Sequence, residues 1–167
     1  TAGGDTASAL AAGCTVVVKA HPAHPETSAM VAGAISKAIT KMELSQDIFI
    51  HLNGASHAVG EALVKNEHAK AVGFTGSFTG GMALFNWANQ RKEPIPVFAE
   101  MGSVNPVFLL EEKLSSDPAG IAKIYADSIS LGVGQFCTNP GIIIGIDSAA
   151  IQAFISFLGE KMDAITV

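Results

Sequence analysis

The stretch "KAVGFTGS", residues 70–77, reads as a short strand running into a glycine turn, with Ser77 placed to cap the helix that opens at "FTGGMALFNWANQ". Outward from it the same alternation repeats. On the N-terminal side, "DTASALAA" (5–12) is rich in helix formers and closes on Gly13. "CTVVVKA" is a β-branched run that predicts a buried strand ending at Lys19. The turn "HPAHP" leads into a helix from about Pro25 to Met42, with Ala32, Ile35, Ile39 and Met42 on one face. "DIFIHL" (47–52) predicts a strand and "ASHAVGEALVKN" (55–66) a helix. On the C-terminal side, "PIPVFAE" (94–100) is a further strand. This β-α-β-α-β-α-β rhythm predicts an α/β fold, a parallel sheet with helices on both faces.

Beyond Glu100 a second unit begins. The turn "MGSVNP" leads to the strand "VFLL" (107–110), and "SSDP" starts a helix that Asp117 caps and Pro118 opens. That helix runs to about Leu131. A glycine-flanked segment around Cys137, the strand "GIIIGI" (141–146) and a last amphipathic helix with Ile151, Phe154, Ile155, Leu158 and Met162 complete the chain. The break near 100–102 divides it into residues 1–100 and 101–167.

Composition narrows the function classes. The 167 residues are 49% hydrophobic and only 15% charged, which argues for a large buried interior. With a net charge of −5 and no Lys/Arg-rich patch, nucleic acid and anionic membrane are not expected partners. The apolar runs are too short to span a membrane. The two cysteines, Cys14 and Cys137, form no CxxC or Cys/His cluster, so a reduced, cytoplasmic protein without a metal site is expected. The chain opens without Met on a helix under way and ends as a helix finishes, and reads as an internal piece of a longer protein.

Four features can carry chemistry. Cys137 lies in "GVGQFCTNPG" (132–141), where glycines let the backbone approach a ligand and a thiolate could act as nucleophile, whereas Cys14 beside the "TVVV" strand fits a structural thiol. Glu100 ends an apolar strand before a glycine turn, where a carboxylate serves either as general base or as a solvated turn residue. "GFTGS" (73–77) places helix N-terminal amides where they attract phosphate or simply form a capped turn. Lys19 ends a strand, available to ribose or phosphate or extended along the surface. The five histidines all lie at or before position 68, with no spacing that suggests zinc or a cysteine–histidine pair.

Together "VVVKAHP" (16–22), "GFTGS" (73–77), "FAEMGSVNP" (98–106) and "GQFCTNPG" (134–141) resemble the aldehyde dehydrogenase superfamily over essentially the whole chain. The forms "EMGSVNP" and "GQFCTNPG" look closest to the branch of 2,5-dioxovalerate (α-ketoglutarate semialdehyde) dehydrogenases and NADP-dependent fatty-aldehyde dehydrogenases. The resemblance implies a Rossmann-like NAD(P)-binding part followed by the first part of an α/β catalytic domain, in a parent that is a homodimer or homotetramer. It implies that Cys137 attacks the aldehyde to give a thiohemiacetal, then a thioester, with the Cys137 backbone N–H among the oxyanion donors. Glu100 would activate the thiol, the hydrolytic water, or both. Lys19 would contact the adenosine ribose or its phosphate, Gly60, Gly76 and Ser77 would line the dinucleotide, and Met101 would lie near the nicotinamide.

The departures are informative too. Where the family often has a ribose-binding glutamate three residues after the lysine, this chain has Pro22, which implies that NADP is tolerated or preferred. The family's oxyanion-hole asparagine and its later Glu-x-Phe segment fall outside these residues, so the chain alone is expected to have little or no activity. A CoA-acylating enzyme, a catalytically incomplete dinucleotide-binding or structural fragment, and a cysteine hydrolase are the other readings. Retention of Glu100 favours hydrolysis of the thioester.

Overall fold

The structure, a computed structural model, describes residues 1–166. The chain divides into two compact units, Thr1–Met101 and the part from Gly102 onward.

The first unit begins with α1 (Gly4–Ala11), which stops where Gly13 adopts a left-handed φ of 80°. Strand β1 (Val16–Lys19) follows, then α2 (Pro25–Lys41), whose first residue is a proline that needs no N–H partner there. A 3-10 turn over Gln46–Ile48, in which Ser45 Oγ accepts from the Asp47 N–H, leads to β2 (Phe49–Leu52). The predicted strand over 47–52 is therefore shorter at its start, because this capped turn takes its first two residues.

Strands β1 and β2 pair in parallel, Val16 opposite Phe49 and Lys19 opposite Leu52. Helix α2 packs on them through Ala32 and Ile39 against Phe49, Val16 and Val18. Met42, expected on that apolar face, is instead 68% exposed: it lies one residue past the last helical turn, where the periodicity no longer governs its direction. Cys14, expected to be a buried structural thiol, is exposed; it sits in the link after α1, before β1 begins.

The unit continues with α3 (His57–Lys65), β3 (Val72–Thr75), α4 (Phe78–Asn89) and β4 (Val97–Glu100). Pro94 and Pro96 have no N–H to donate, so the predicted strand over 94–100 forms only from Val97. Strands β3 and β4 are parallel, Val72 opposite Val97 and Thr75 opposite Glu100. Their outward residues are exposed, Phe98 to 67%.

The second unit holds β5 (Pro106–Leu109), the short α5 (Glu111–Ser116), α6 (Pro118–Ser130), β6 (Ile142–Gly145) and α7 (Ala149–Asp163). Asp117 caps α6 by accepting from the Gly120 N–H at 2.9 Å. β5 and β6 are parallel, Pro106 opposite Ile142 and Leu109 opposite Gly145. The core under them is Leu114, Ala122, Ile151 and Phe154, with Tyr125 set edge-on to Phe154 at 5.7 Å. Gly145 leaves room for Ile151: a Cβ there would stand 2.7 Å from Ile151 Cδ1.

The α/β class and parallel pairing agree with the sequence reading. Among the described residues the strands are joined two by two, β1–β2, β3–β4 and β5–β6.

Candidate active site

In the first unit, the carboxyl ends of β3 and β4 gather four of the residues singled out above. The Gly76 N–H donates to the Glu100 carbonyl at 3.0 Å, which extends the ladder one step beyond the strands and sets the two chain ends side by side. Ser77 caps α4, its hydroxyl accepting from the Gly80 N–H at 3.1 Å. The α4 N-terminus, with its free amides and positive dipole end, thus stands at the strand edge that bears Glu100. Glu100 faces the exposed side of β4 with Phe98. Met101 folds back over α4: a Cβ on buried Gly81 would meet Met101 Sδ at 2.5 Å.

Packing alone accounts for one glycine and not for another. A Cβ on Gly76 would lie 2.6 Å from Phe74 Cζ, so a larger residue there would have to displace the Phe74 ring. A Cβ on Gly60, inside α3, would meet nothing within 4 Å. A helix-interior glycine costs roughly 1 kcal/mol relative to alanine, so open space rather than a protein contact lies at Gly60.

Lys19 stands at the end of β1 beside the end of β2. Just beyond, a shallow cleft of about 180 Å³ is lined by Ala20, His21, Pro22, Pro25 and residues 53–55, with no carboxylate among the lining residues. Carboxyl ends of parallel strands are where α/β folds take their ligands. Lys19 makes no ion pair among the described residues; the closest pairs, Lys65–Glu61 at 2.5 Å and Lys123–Asp127 at 2.7 Å, lie elsewhere.

Cys137 belongs to the second unit. The Asn139 N–H donates to the Phe136 carbonyl at 3.0 Å, closing a tight turn in which Cys137 is the second residue and is exposed. Ahead of it, Gly132, Val133 and Gly134 take left-handed φ values of 60°, 60° and 73°. Val133 is β-branched and disfavoured there. Its side chain is 84% exposed, so no apolar contact offsets the conformation.

Side chains hold this loop. Asn105 Nδ2 donates to the carbonyls of Cys137 at 2.7 Å and Asn139 at 2.9 Å, and the Ser103 hydroxyl donates to the Cys137 carbonyl as well. Asn139 Nδ2 donates to the carbonyls of Ile129 at 2.9 Å and Gly134 at 3.1 Å. The sequence reading passed over both asparagines. A local signal existed, an Asn-Pro dipeptide at 105–106 and again at 139–140, but their partners lie up to 34 positions away.

The other candidates are occupied or dispersed. His51 Nε2 lies 2.8 Å from the buried Ser28 hydroxyl, and His21 stacks on His24. Among the described residues, no three His, Cys, Asp or Glu side chains gather closely enough to hold a metal ion, and no helix is long and apolar enough to cross a membrane.

Residues 1–167 match the aldehyde dehydrogenase family. An alpha-ketoglutaric semialdehyde dehydrogenase 2 of Azospirillum brasilense is 52% identical over 161 residues, covering 96% of this chain and 31% of that protein. An alpha-ketoglutaric semialdehyde dehydrogenase of Acinetobacter baylyi is 50% identical over 158 residues, covering 95% of this chain and 30% of that protein. Among solved structures, a gamma-glutamyl-gamma-aminobutyraldehyde dehydrogenase from Burkholderia cenocepacia superposes with a TM-score of 0.74 at 25% identity, over 92% of this chain and 29% of that one. The chain therefore spans about a third of the length of the relatives it matches. Matched from end to end, and sharing half its residues with two semialdehyde dehydrogenases, it belongs to the aldehyde dehydrogenase family.

Proposed function

We propose that this chain is the cofactor-side and nucleophile-bearing segment of an NAD(P)-dependent dehydrogenase that oxidises α-ketoglutaric semialdehyde (2,5-dioxovalerate) to the dicarboxylate. The observation that carries the reading is Cys137 itself: an exposed thiol, second in a tight turn whose carbonyls are held by side-chain donors. The substrate follows the two relatives that are about half identical to this chain.

In this reading the Cys137 thiolate adds to the aldehyde carbon, forming a C–S bond while the carbonyl pair moves onto oxygen. The Cys137 N–H is one donor to that oxyanion. The dinucleotide, when bound, supplies the hydride acceptor that turns the adduct into a thioester. Glu100 takes the proton from water as the water attacks the thioester; the C–S bond breaks, the carboxylate leaves and the thiol is restored.

The residues present fit a dinucleotide. The Lys19 ammonium and the carboxylate-free cleft beyond β1 and β2 suit a ribose or its phosphate. The α4 N-terminus at Gly76 and Ser77 suits a pyrophosphate, and the open space at Gly60 admits close approach. With Pro22 and no acidic lining group, NADP is accepted at least as well as NAD.

The test is the rate of dinucleotide reduction by a protein of the relatives' full length that carries this segment. It is offered α-ketoglutaric semialdehyde, a short aldehyde and a long-chain aldehyde with each cofactor. The reading expects the semialdehyde to give the highest kcat/KM. Oxidation of none of the three contradicts it, and tenfold tighter binding of NAD than of NADP contradicts the cofactor assignment.

A further inference from the structure

Two asparagine side chains hold the turn that carries Cys137. A side-chain amide has two N–H donors on one nitrogen. Those of Asn105 meet the carbonyls of Cys137 and Asn139, at 2.7 and 2.9 Å. Those of Asn139 meet the carbonyls of Ile129 and Gly134, at 2.9 and 3.1 Å. All four carbonyls belong to one stretch, 129–139; outside it, Asn105 Nδ2 also lies 3.2 Å from the Ser103 hydroxyl oxygen. Only the NH₂ end of each amide can face two carbonyl oxygens, so the orientation of both side chains is fixed by their partners.

The rest of the stretch is held locally, with the Phe136 ring packed over Gly132. Besides the end of α6 and a 3-10 turn over Leu131–Gly134, its backbone is held by the turn at Phe136–Asn139 and by the Gln135 N–H donating to the Gly132 carbonyl at 3.2 Å. It also contains Val133 in a left-handed conformation. The ladder of β5 and β6 reaches back only to the Gly141 N–H, which donates to the Val104 carbonyl at 2.8 Å, two residues beyond Asn139.

Asn105 bears directly on the thiol. Its N–H and the Ser103 O–H converge on the Cys137 carbonyl. Because a peptide unit is planar, two donors on that oxygen restrain the Cys137–Thr138 unit and with it the Cα from which the Cys137 side chain leaves the turn. Asn105 pays a conformational cost for its place, a left-handed φ of 47° that asparagine tolerates better than most residues.

We infer that Asn105 is a positioning residue for the nucleophile: it aims the Cys137 thiol by gripping that residue's own carbonyl. The inference rests on the reading of Cys137 as nucleophile given above. Nucleophilic attack requires a well-aligned approach, and misplacement by about 1 Å can cost roughly a hundredfold in rate.

The test uses a full-length protein carrying this segment, with Asn105→Gly, Asn105→Asp and, separately, Cys137→Ala. Glycine accepts the left-handed φ without strain, so Asn105→Gly removes the amide alone. Aspartate keeps the shape but sets carboxylate oxygens against two carbonyls. The expected result is a single-turnover rate of dinucleotide reduction lower by about tenfold or more in both variants, with KM for the aldehyde and dinucleotide affinity within roughly threefold of the parent. The rate of Cys137 alkylation by iodoacetamide, mapped by peptide mass apart from Cys14, should change in parallel.

Single-turnover and alkylation rates within twofold of the parent would overturn the inference. So would a variant that fails to fold, or one altered in KM alone, because the amide would then serve the fold or the binding of substrate. Full activity in Cys137→Ala would instead remove the reading beneath it, and the alkylation rates would still report whether Asn105 sets the thiol.

Discussion

Tyr125 and Cys137 show how differently two side chains can be placed in one unit. Tyr125 lies half-buried against Phe154, and burial pushes its phenol above the ordinary value of 10.0. Its folded form therefore keeps the proton at a pH where the unfolded chain has lost it. The stability linked to Tyr125 is complete below about pH 10 and falls as pH rises beyond it. Tyr125→Phe keeps the edge-on ring contact and removes the ionisation. In urea melts from pH 9 to 11.5, the variant should lose less stability above pH 10 than the parent, and identical slopes would contradict the assignment. Cys137, by contrast, stands exposed on a turn made by asparagine contacts between distant segments. The glycines around Cys137 are visible in the sequence; the side chains that hold its turn are not, because a side-chain amide reaching a carbonyl more than 30 positions away leaves no periodic trace.

At the scale of the elements, capping and proline chemistry made most boundaries legible. Ser77 and Asp117 cap the helices their sequences announced, since an N-cap depends only on residues three positions apart. Asp117→Ala should cost about 1 kcal/mol of stability and leave catalysis unchanged, since this cap faces only its own helix. Equal urea midpoints for variant and parent would contradict that. Where local rules fell short, tertiary contacts decided. The short helix α5 escaped notice because "EEKLSS" is too brief to show a period, yet it delivers Leu114 to the core of the second unit. That core centres on Phe154, only 1% exposed beneath β5 and β6. Phe154→Ala should cost about 3–5 kcal/mol, seen as a large fall in the urea midpoint. A change below about 1 kcal/mol would mean that α7 packs less tightly than its contacts indicate.

At the scale of the whole molecule, the parallel strands carry apolar residues on both faces, as strands of a covered sheet do. In these 167 residues one face of the β5–β6 pair is packed on helices, while Phe108, Ile142 and Ile144 on the other are exposed, Phe108 to 65%. The α/β rhythm gave the class, but periodicity says nothing about which chain covers a given face. The 167-residue chain by itself should therefore bind an apolar dye such as ANS strongly and self-associate as its concentration rises. Its turnover of any aldehyde should stay below about 0.01 per second, against the roughly 1–1,000 per second usual for enzymes. A dye-silent monomer, or a chain with ordinary dehydrogenase turnover, would contradict this.

The central claim is that Cys137 forms the covalent bond to the aldehyde. The most direct measurement compares a protein of the relatives' full length carrying this segment with its Cys137→Ala variant, following dinucleotide reduction with α-ketoglutaric semialdehyde and, after acid quench, the mass of the peptide containing residue 137. The account predicts that reduction is abolished in the variant and that the parent's Cys137 peptide carries the acyl group as a thioester. Undiminished reduction in Cys137→Ala, or an acyl group on another residue, would contradict it.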